Sequence, residues 1–180
     1  MSDIVEEKTS AGPSEDDAPF VPSGAPMPLP AGSAVATDPA VWYHLKATWT
    51  DDRGRTATGY AYPIGENASS SFWDYVCLFA GPARAGALRF KLSEPDDEGW
   101  SRWDIHDDAA NDGYHLSCKA TGWLYRASAY DVRFRIVDGH LYCNYWSGPV
   151  GSDYRSFLIS AGQYAGMDLP PFTCELEPAG

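Results

Sequence analysis

Positive charge is scarce in this chain. Lys and Arg together number 13 against 25 Asp and Glu, which gives a formal net charge of -12. Proteins attach to nucleic acids and to anionic membrane surfaces largely by neutralising phosphates with Lys and Arg. The charge balance therefore predicts that nucleic acid is not a partner of this protein.

Long apolar runs are also lacking. No uninterrupted apolar stretch approaches 18 residues, so we expect no membrane-spanning helix. The first dozen residues are polar and acidic, and they lack the charged start and apolar core of a secretory signal. The expected location is cytoplasmic by default, with non-classical export left open, and the four cysteines are expected to be reduced thiols.

Signatures of known catalytic families are missing as well. The sequence has no Gly-x-Ser-x-Gly elbow, no phosphate-cradling Gly-rich loop and no cysteine in a family-specific context. These absences favour a binding protein over an enzyme, and no cofactor is expected.

Aromatic residues are abundant, and their distribution divides the chain. All 7 Trp and 11 Tyr lie beyond residue 40. Residues 1–40 instead hold seven of the 14 prolines and seven acidic side chains against one Lys. Such a segment buries too little apolar surface to offset the entropy of ordering it. We therefore predict a disordered, acidic, proline-rich leader over 1–40 and one all-β domain over 41–180.

Short alternating or β-branched and aromatic segments recur through this domain between turn signals such as Asp112-Gly113 and Asp138-Gly139. No helical period competes with them. The predicted strands are Val41–Trp49, Thr56–Tyr62, Phe72–Phe79, Ala87–Leu92, Trp100–Ile105, Tyr114–Cys118, Gly122–Ser128, Val132–Val137, His140–Trp146, Ser156–Ser160 and Phe172–Leu176. This pattern predicts an antiparallel sandwich or barrel.

Two blocks of this domain look alike at an interval of about 70 residues. Cys77–Pro82 followed by Phe90–Ser93 matches Cys143–Pro149 followed by Phe157–Ser160, and Tyr43–Trp49 is similar to Tyr114–Trp123. The match predicts a duplicated unit with two pseudo-equivalent surface sites.

The repeat length and the stretch Asn144-Tyr-Trp-Ser-Gly148 resemble, loosely, the tandem-repeat lectins of the cyanobacterial agglutinin type. The repeats of those lectins close into a barrel, so the resemblance implies a carbohydrate-binding barrel. Their glycine-rich tryptophan motifs are absent here, and the chain is not assigned to that family.

The candidate ligand-binding residues are aromatic rings next to turns, with polar and imidazole neighbours. A flat ring flanked by polar groups suits the apolar face of a sugar or a partner protein. These candidates are Trp100, Trp103, Asn144, Tyr145, Trp146, His44 and His115. Within its strand, His44 alternates with Tyr43 and Leu45, so His44 and His115 are predicted to be solvent-side or rim residues.

The acidic residues support two further hypotheses, an acid–base enzyme and a calcium site. A small β-barrel hydrolase or isomerase would use His115 or His106 with Asp104 or Asp107 as its acid–base pair. The acidic residues Asp104, Asp107, Asp108 and Asp112 are a weak calcium alternative, because they lack the regular spacing of a helix-loop-helix calcium site.

The function predicted from the sequence is therefore that of a non-enzymatic, lectin-like, carbohydrate-binding module, whose partner is a glycan or a protein. The alternatives are the small β-barrel enzyme and a scaffold whose leader recruits a partner.

Overall fold

The computed structural model of the protein describes residues 35–51, 53–63, 75–106, 114–118, 122–127, 131–144, 149–152, 158–160 and 172–180. Across these residues the chain forms twelve strands and no helix, and every pairing is antiparallel. The predicted all-β antiparallel class is confirmed. This part of the chain accordingly holds no helix able to cross a membrane.

The strands are β1 (Tyr43–Thr50), β2 (Thr56–Pro63), β3 (Val76–Ala80), β4 (Arg89–Leu92), β5 (Trp103–His106), β6 (Tyr114–Cys118), β7 (Leu124–Ala127), β8 (Phe134–Val137), β9 (His140–Cys143), β10 (Val150–Ser152), β11 (Leu158–Ser160) and β12 (Thr173–Pro178).

The leader predicted over 1–40 lies, up to residue 34, outside the described residues. Two of its last six residues, Val35 and Asp38, form hydrogen bonds with the domain. The Val35 N–H donates to the carbonyl of Ile136 at 3.1 Å, and the Asp38 N–H donates to the Tyr43 hydroxyl at 3.0 Å. Contacts with the domain therefore begin at Val35, several residues before the predicted start of the domain at residue 41.

Eight strands form the main sheet, in the order β3-β2-β1-β4-β5-β6-β7, with β12 paired to β1. Strand β1 lies at its centre and pairs with β2, with β12 and, through Tyr43 and Phe90, with β4. The two ends of the strand order meet at one antiparallel bridge between Tyr75 and Tyr125. Since a single bridge is not a ladder, the sheet is not closed.

The core lies on one face of this sheet because the strands alternate. In β1 the residues Tyr43, Leu45, Ala47 and Trp49 are buried, and the side chains between them are half-buried. The β8–β9 hairpin covers this face, where Phe134 packs against Trp103 at 6.1 Å between ring centroids. We call the opposite face, towards solvent on β1, β4 and β5, the outer face.

The β8–β9 hairpin forms at the predicted Asp-Gly turn. Asp138 and Gly139 both have positive φ, 50° and 78°, which is the signature of a type I′ turn. The Gly139 carbonyl then accepts a hydrogen bond of 2.7 Å from the Cys174 N–H, which joins the hairpin to β12.

Strand pairing gives no support to the predicted duplication. In the first block β3 pairs with β2, and β4 pairs with β1 and β5, all in the main sheet. The matching strands of the second block belong to two separate two-stranded sheets, in which β9 pairs with β8 and β11 pairs with β10. Of the two Gly-Pro turns that end the matched segments Cys77–Pro82 and Cys143–Pro149, the second includes Gly148, which lies outside the described residues.

Candidate functional site

Trp100 and Trp103 are core residues. Their side chains are 2% and 0% exposed, and Trp103 packs between Phe90 and Phe134. The expected exposure of Trp100 is therefore wrong. Proximity to a turn did not expose the ring, because the Arg135 guanidinium lies over it, 5.5 Å from its centroid. Neither indole can serve as a surface platform in this fold.

The two candidate histidines have different environments. His44 is half-buried, with its Nδ1 3.1 Å from the Leu88 carbonyl and its ring 5.8 Å from that of Tyr60. His115 is only 1% exposed, so the prediction that it lies at the rim is wrong. It lies opposite Asp104 in the β5–β6 register, on a strand that is covered on both faces.

Of the neighbouring candidates Asn144, Tyr145 and Trp146, only Asn144 lies within the described residues. It is 6% exposed, its N–H donates to the Arg133 carbonyl, and its Oδ1 accepts from the Arg133 N–H at 3.1 Å. Asn144 thus closes the end of the β8–β9 hairpin. Tyr145 and Trp146 lie outside the described residues.

The calcium alternative rests mainly on residues that cannot be described. Asp107, Asp108 and Asp112 lie outside the described ranges, and Asp104 is paired with the Arg102 guanidinium at 2.8 Å. In the described part of the chain, no three His, Cys, Asp or Glu side chains come together as a metal site would require.

A cleft of about 450 Å³ opens at the outer face of β4 and β5 and brings one predicted pair together. We call it the Trp42 cleft. It contains both Asp104 and His106, one of the four His–Asp combinations that the enzyme alternative allowed. Its lining residues are Trp42, Arg89, Arg102, Asp104, Ile105, His106 and Tyr114.

Strand alternation places the charged groups of this cleft. Trp103 and Ile105 enter the core, so their neighbours Asp104 and His106 project from the outer face. The register then sets Arg89 of β4 opposite His106. Cation, carboxylate and imidazole are thereby collected on two adjacent strands.

Trp42 forms an aromatic wall of the cleft and was not among the residues predicted from the sequence. Its ring is half-buried, and its centroid lies 5.7 Å from the ring of His106 and 5.7 Å from the Lys91 ammonium. Its carbonyl accepts a hydrogen bond of 2.8 Å from the Ala179 N–H, which holds the backbone in place. The signal was present, since the alternation that turns Tyr43 inward turns Trp42 outward.

Among the described residues, the charges around Trp42 are mainly positive, although the chain is acidic. Arg89, Lys91 and Arg102 lie in or beside the cleft, against the single carboxylate of Asp104 among its described residues. Asp104 is engaged by Arg102. Within these described residues the cleft therefore offers more donors and cations than acceptors.

A second polar cluster lies on the outer face where β1 meets β2 and β12. The Tyr60 hydroxyl lies 3.0 Å from both carboxylate oxygens of Glu177, and the Lys46 ammonium lies 3.5 Å from Glu177 and 3.6 Å from Glu175. The negative charge of Glu177 is the largest cause of the raised pKa of Lys46. Burial, followed by the bond to Glu177, raises the pKa of Tyr60.

The four cysteines, Cys77, Cys118, Cys143 and Cys174, are all buried, and none of them forms a disulfide. Burial raises the pKa of the Cys174 thiol to about 12. A thiol with this pKa remains protonated at neutral pH and is a poor nucleophile.

Comparison of the chain with models of protein families, with curated proteins and with solved structures finds no match. The site must therefore be interpreted from its own chemistry.

Proposed function

We propose that the protein is a non-enzymatic carbohydrate-binding module whose ligand binds in the Trp42 cleft. The proposal keeps the function predicted from the sequence and moves it to other residues. The observation that carries it is the Trp42 ring, which walls a cleft of ligand size together with several charged side chains.

The chemistry of a sugar fits this arrangement. An aromatic ring packs against the apolar face of a pyranose, and neighbouring polar groups hydrogen-bond to its hydroxyls. Trp42 supplies the ring, Arg89 and His106 supply nitrogen donors, and Asp104 supplies an acceptor.

The cations also point to a particular class of glycan. Guanidinium groups bind carboxylate and sulfate in charge-assisted hydrogen bonds, often through two donors at once. With Arg102 and Lys91 beside the one carboxylate among the described residues of the cleft, we expect uronate or sulfated glycans to bind more tightly than neutral ones. This preference should weaken as salt is raised.

A glycan array followed by calorimetry tests the proposal. The full chain should bind acidic glycans, and Trp42→Ala should weaken binding of the best array ligand at least tenfold, as expected for an aromatic anchor. The matched control is Phe79→Ala, because Phe79 is an aromatic residue outside the cleft and 47% exposed. This control should bind as the wild type does.

Two results would count against the proposal. If protein shown to be folded by circular dichroism gives no signal on the array, the ligand is not a carbohydrate. If Trp42→Ala and Phe79→Ala lose binding equally, the Trp42 cleft is not the binding site.

The enzyme alternative remains a second candidate, because Asp104 and His106 line one cleft. The pairing of Asp104 with Arg102 favours a binding role, since glycoside hydrolysis commonly uses two carboxyl groups and the described residues of the cleft provide one. Hydrolysis of an array ligand by the wild type, abolished in Asp104→Asn while binding persists, would decide for the enzyme.

A further inference from the structure

A second cavity, of about 250 Å³, lies on the core side of the sheet, away from the Trp42 cleft. It is bounded by β4 and β5, by the loop 94–101 between them, by β8, by β12 and by the segment 35–37, which forms one wall. Most of its lining is apolar, and its polar members are Thr37, Glu94, Ser101 and Arg135. The side chains that matter here are Val35, Leu92, Trp103, Phe134, Ile136 and Leu176.

An unsatisfied donor belongs to this lining. Trp103 is fully buried, and its indole Nε1 has no hydrogen-bond partner in the described part of the chain. A buried N–H left without an acceptor is costly, and most such groups in proteins are paired. Trp103 is therefore a lining residue of this mainly apolar cavity whose buried indole donor has no described acceptor.

We propose that this cavity is a binding site for a small, neutral, mainly apolar molecule that carries one hydrogen-bond acceptor, which Trp103 Nε1 binds. The size fits, because an engineered apolar cavity of about 150 Å³ in another protein binds benzene. A cavity of about 250 Å³ has room for a substituted benzene ring. This site is independent of the glycan proposal.

The apolar majority of the lining favours a ligand with a hydrocarbon body. Trp103 Nε1 can donate one hydrogen bond to such a ligand. A ligand with one acceptor and a hydrocarbon body satisfies the donor and fills the apolar volume together.

Two probes of similar shape separate the donor from the cavity. Acetophenone carries a carbonyl acceptor, and ethylbenzene carries none. In ¹⁵N-labelled full-length protein, acetophenone should shift the Trp103 indole N–H signal downfield and should bind about fivefold more tightly than ethylbenzene. Trp100 is the internal control, since its Nε1 also lacks a described partner but does not line the cavity.

Variants assign the effect to the site. Trp103→Phe removes the donor and should bring the affinities for the two probes together, whereas Trp49→Phe, at a buried Trp that does not line the cavity, should leave the fivefold difference. Leu176→Phe fills part of the cavity and should weaken both probes. Leu176 is half-buried, so this variant keeps the test available if Trp103→Phe fails to fold.

The proposal is overturned if neither probe binds at millimolar concentration, or if both bind equally to the wild type. It is also overturned if the Trp100 signal moves as far as that of Trp103.

Discussion

Strands β1 and β6 begin with the same three residues, Tyr-His-Leu, but the two histidines differ in burial. In β1 burial alternates strictly, and His44 projects from the outer face, half-buried. In β6 four consecutive residues are buried, and His115 is 1% exposed. Identical local sequence thus gives one accessible and one inaccessible imidazole.

The comparison shows that a strand's own alternation decides which face a side chain takes, but not what covers that face. At β1 the outer face carries the Lys46–Glu177 cluster and leads to the Trp42 cleft. At β6 both faces are covered. The predictions below test this difference, from the largest expected effect to the smallest.

Placing a lysine at each histidine should separate the two strands most clearly. His115→Lys buries a cation and is expected to destabilise the fold by more than about 3 kcal/mol. His44→Lys puts the ammonium opposite Glu177 on β12 and should change the stability by less than about 1 kcal/mol. Urea unfolding of both variants measures the difference.

Glutamine at the same two positions controls for loss of the imidazole alone. If His115→Lys and His44→Lys cost the same free energy, the contrast in burial between β1 and β6 is wrong.

Hydroxyl groups on the two strands should respond in opposite directions. The Ser117 hydroxyl on β6 is buried and has no partner in the described part of the chain, so Ser117→Ala should be neutral or stabilise by up to about 1 kcal/mol. The Thr48 hydroxyl on β1 lies 3.0 Å from that of Thr58, and Thr48→Val should cost about 0.5 kcal/mol. Thermal unfolding resolves the sign, and destabilisation by Ser117→Ala would contradict the account.

The polar cluster beside β1 should make the protein sensitive to alkaline pH. A raised pKa of Lys46 stabilises the fold below the unfolded value of about 10.4, and this contribution is lost as the pH rises through the folded value. A raised pKa of Tyr60 acts in the same direction, because the unfolded phenol ionises first, near pH 10. Stability should therefore fall above about pH 10.

Melting temperatures at pH 8 and pH 11 test this. Tyr60→Phe should show a smaller fall than the wild type, whereas Tyr142→Phe, at a tyrosine on β9 outside the cluster, should match the wild type. An equal fall in all three proteins would place the pH sensitivity elsewhere.

Much of the fold followed from the sequence because alternation and turn signals act locally. Each of the eleven predicted segments overlaps a strand, and β6 has the predicted ends. Strand β10 was missed, since Val150–Ser152 is three residues long and has a glycine at its centre. Pairing partners did not follow, because pairing depends on contacts distant in sequence.

The candidate site followed only in part. Asp104 and His106 were two of the four residues predicted for the enzyme alternative, and alternation does place them on one face. Trp100 and Trp103 were selected for their position near turns, but the cover provided by β8 decides their burial. Trp42 was overlooked, although the same alternation argument assigns it to the outer face.

The most direct test of the account follows the tryptophan indole N–H signals of ¹⁵N-labelled protein while the best acidic glycan from the array is added. The account predicts that the Trp42 signal, assigned with Trp42→Phe, shifts in proportion to occupancy, while the buried indoles of Trp100 and Trp103 stay in place. A Trp42 signal that does not move at saturating glycan would contradict it.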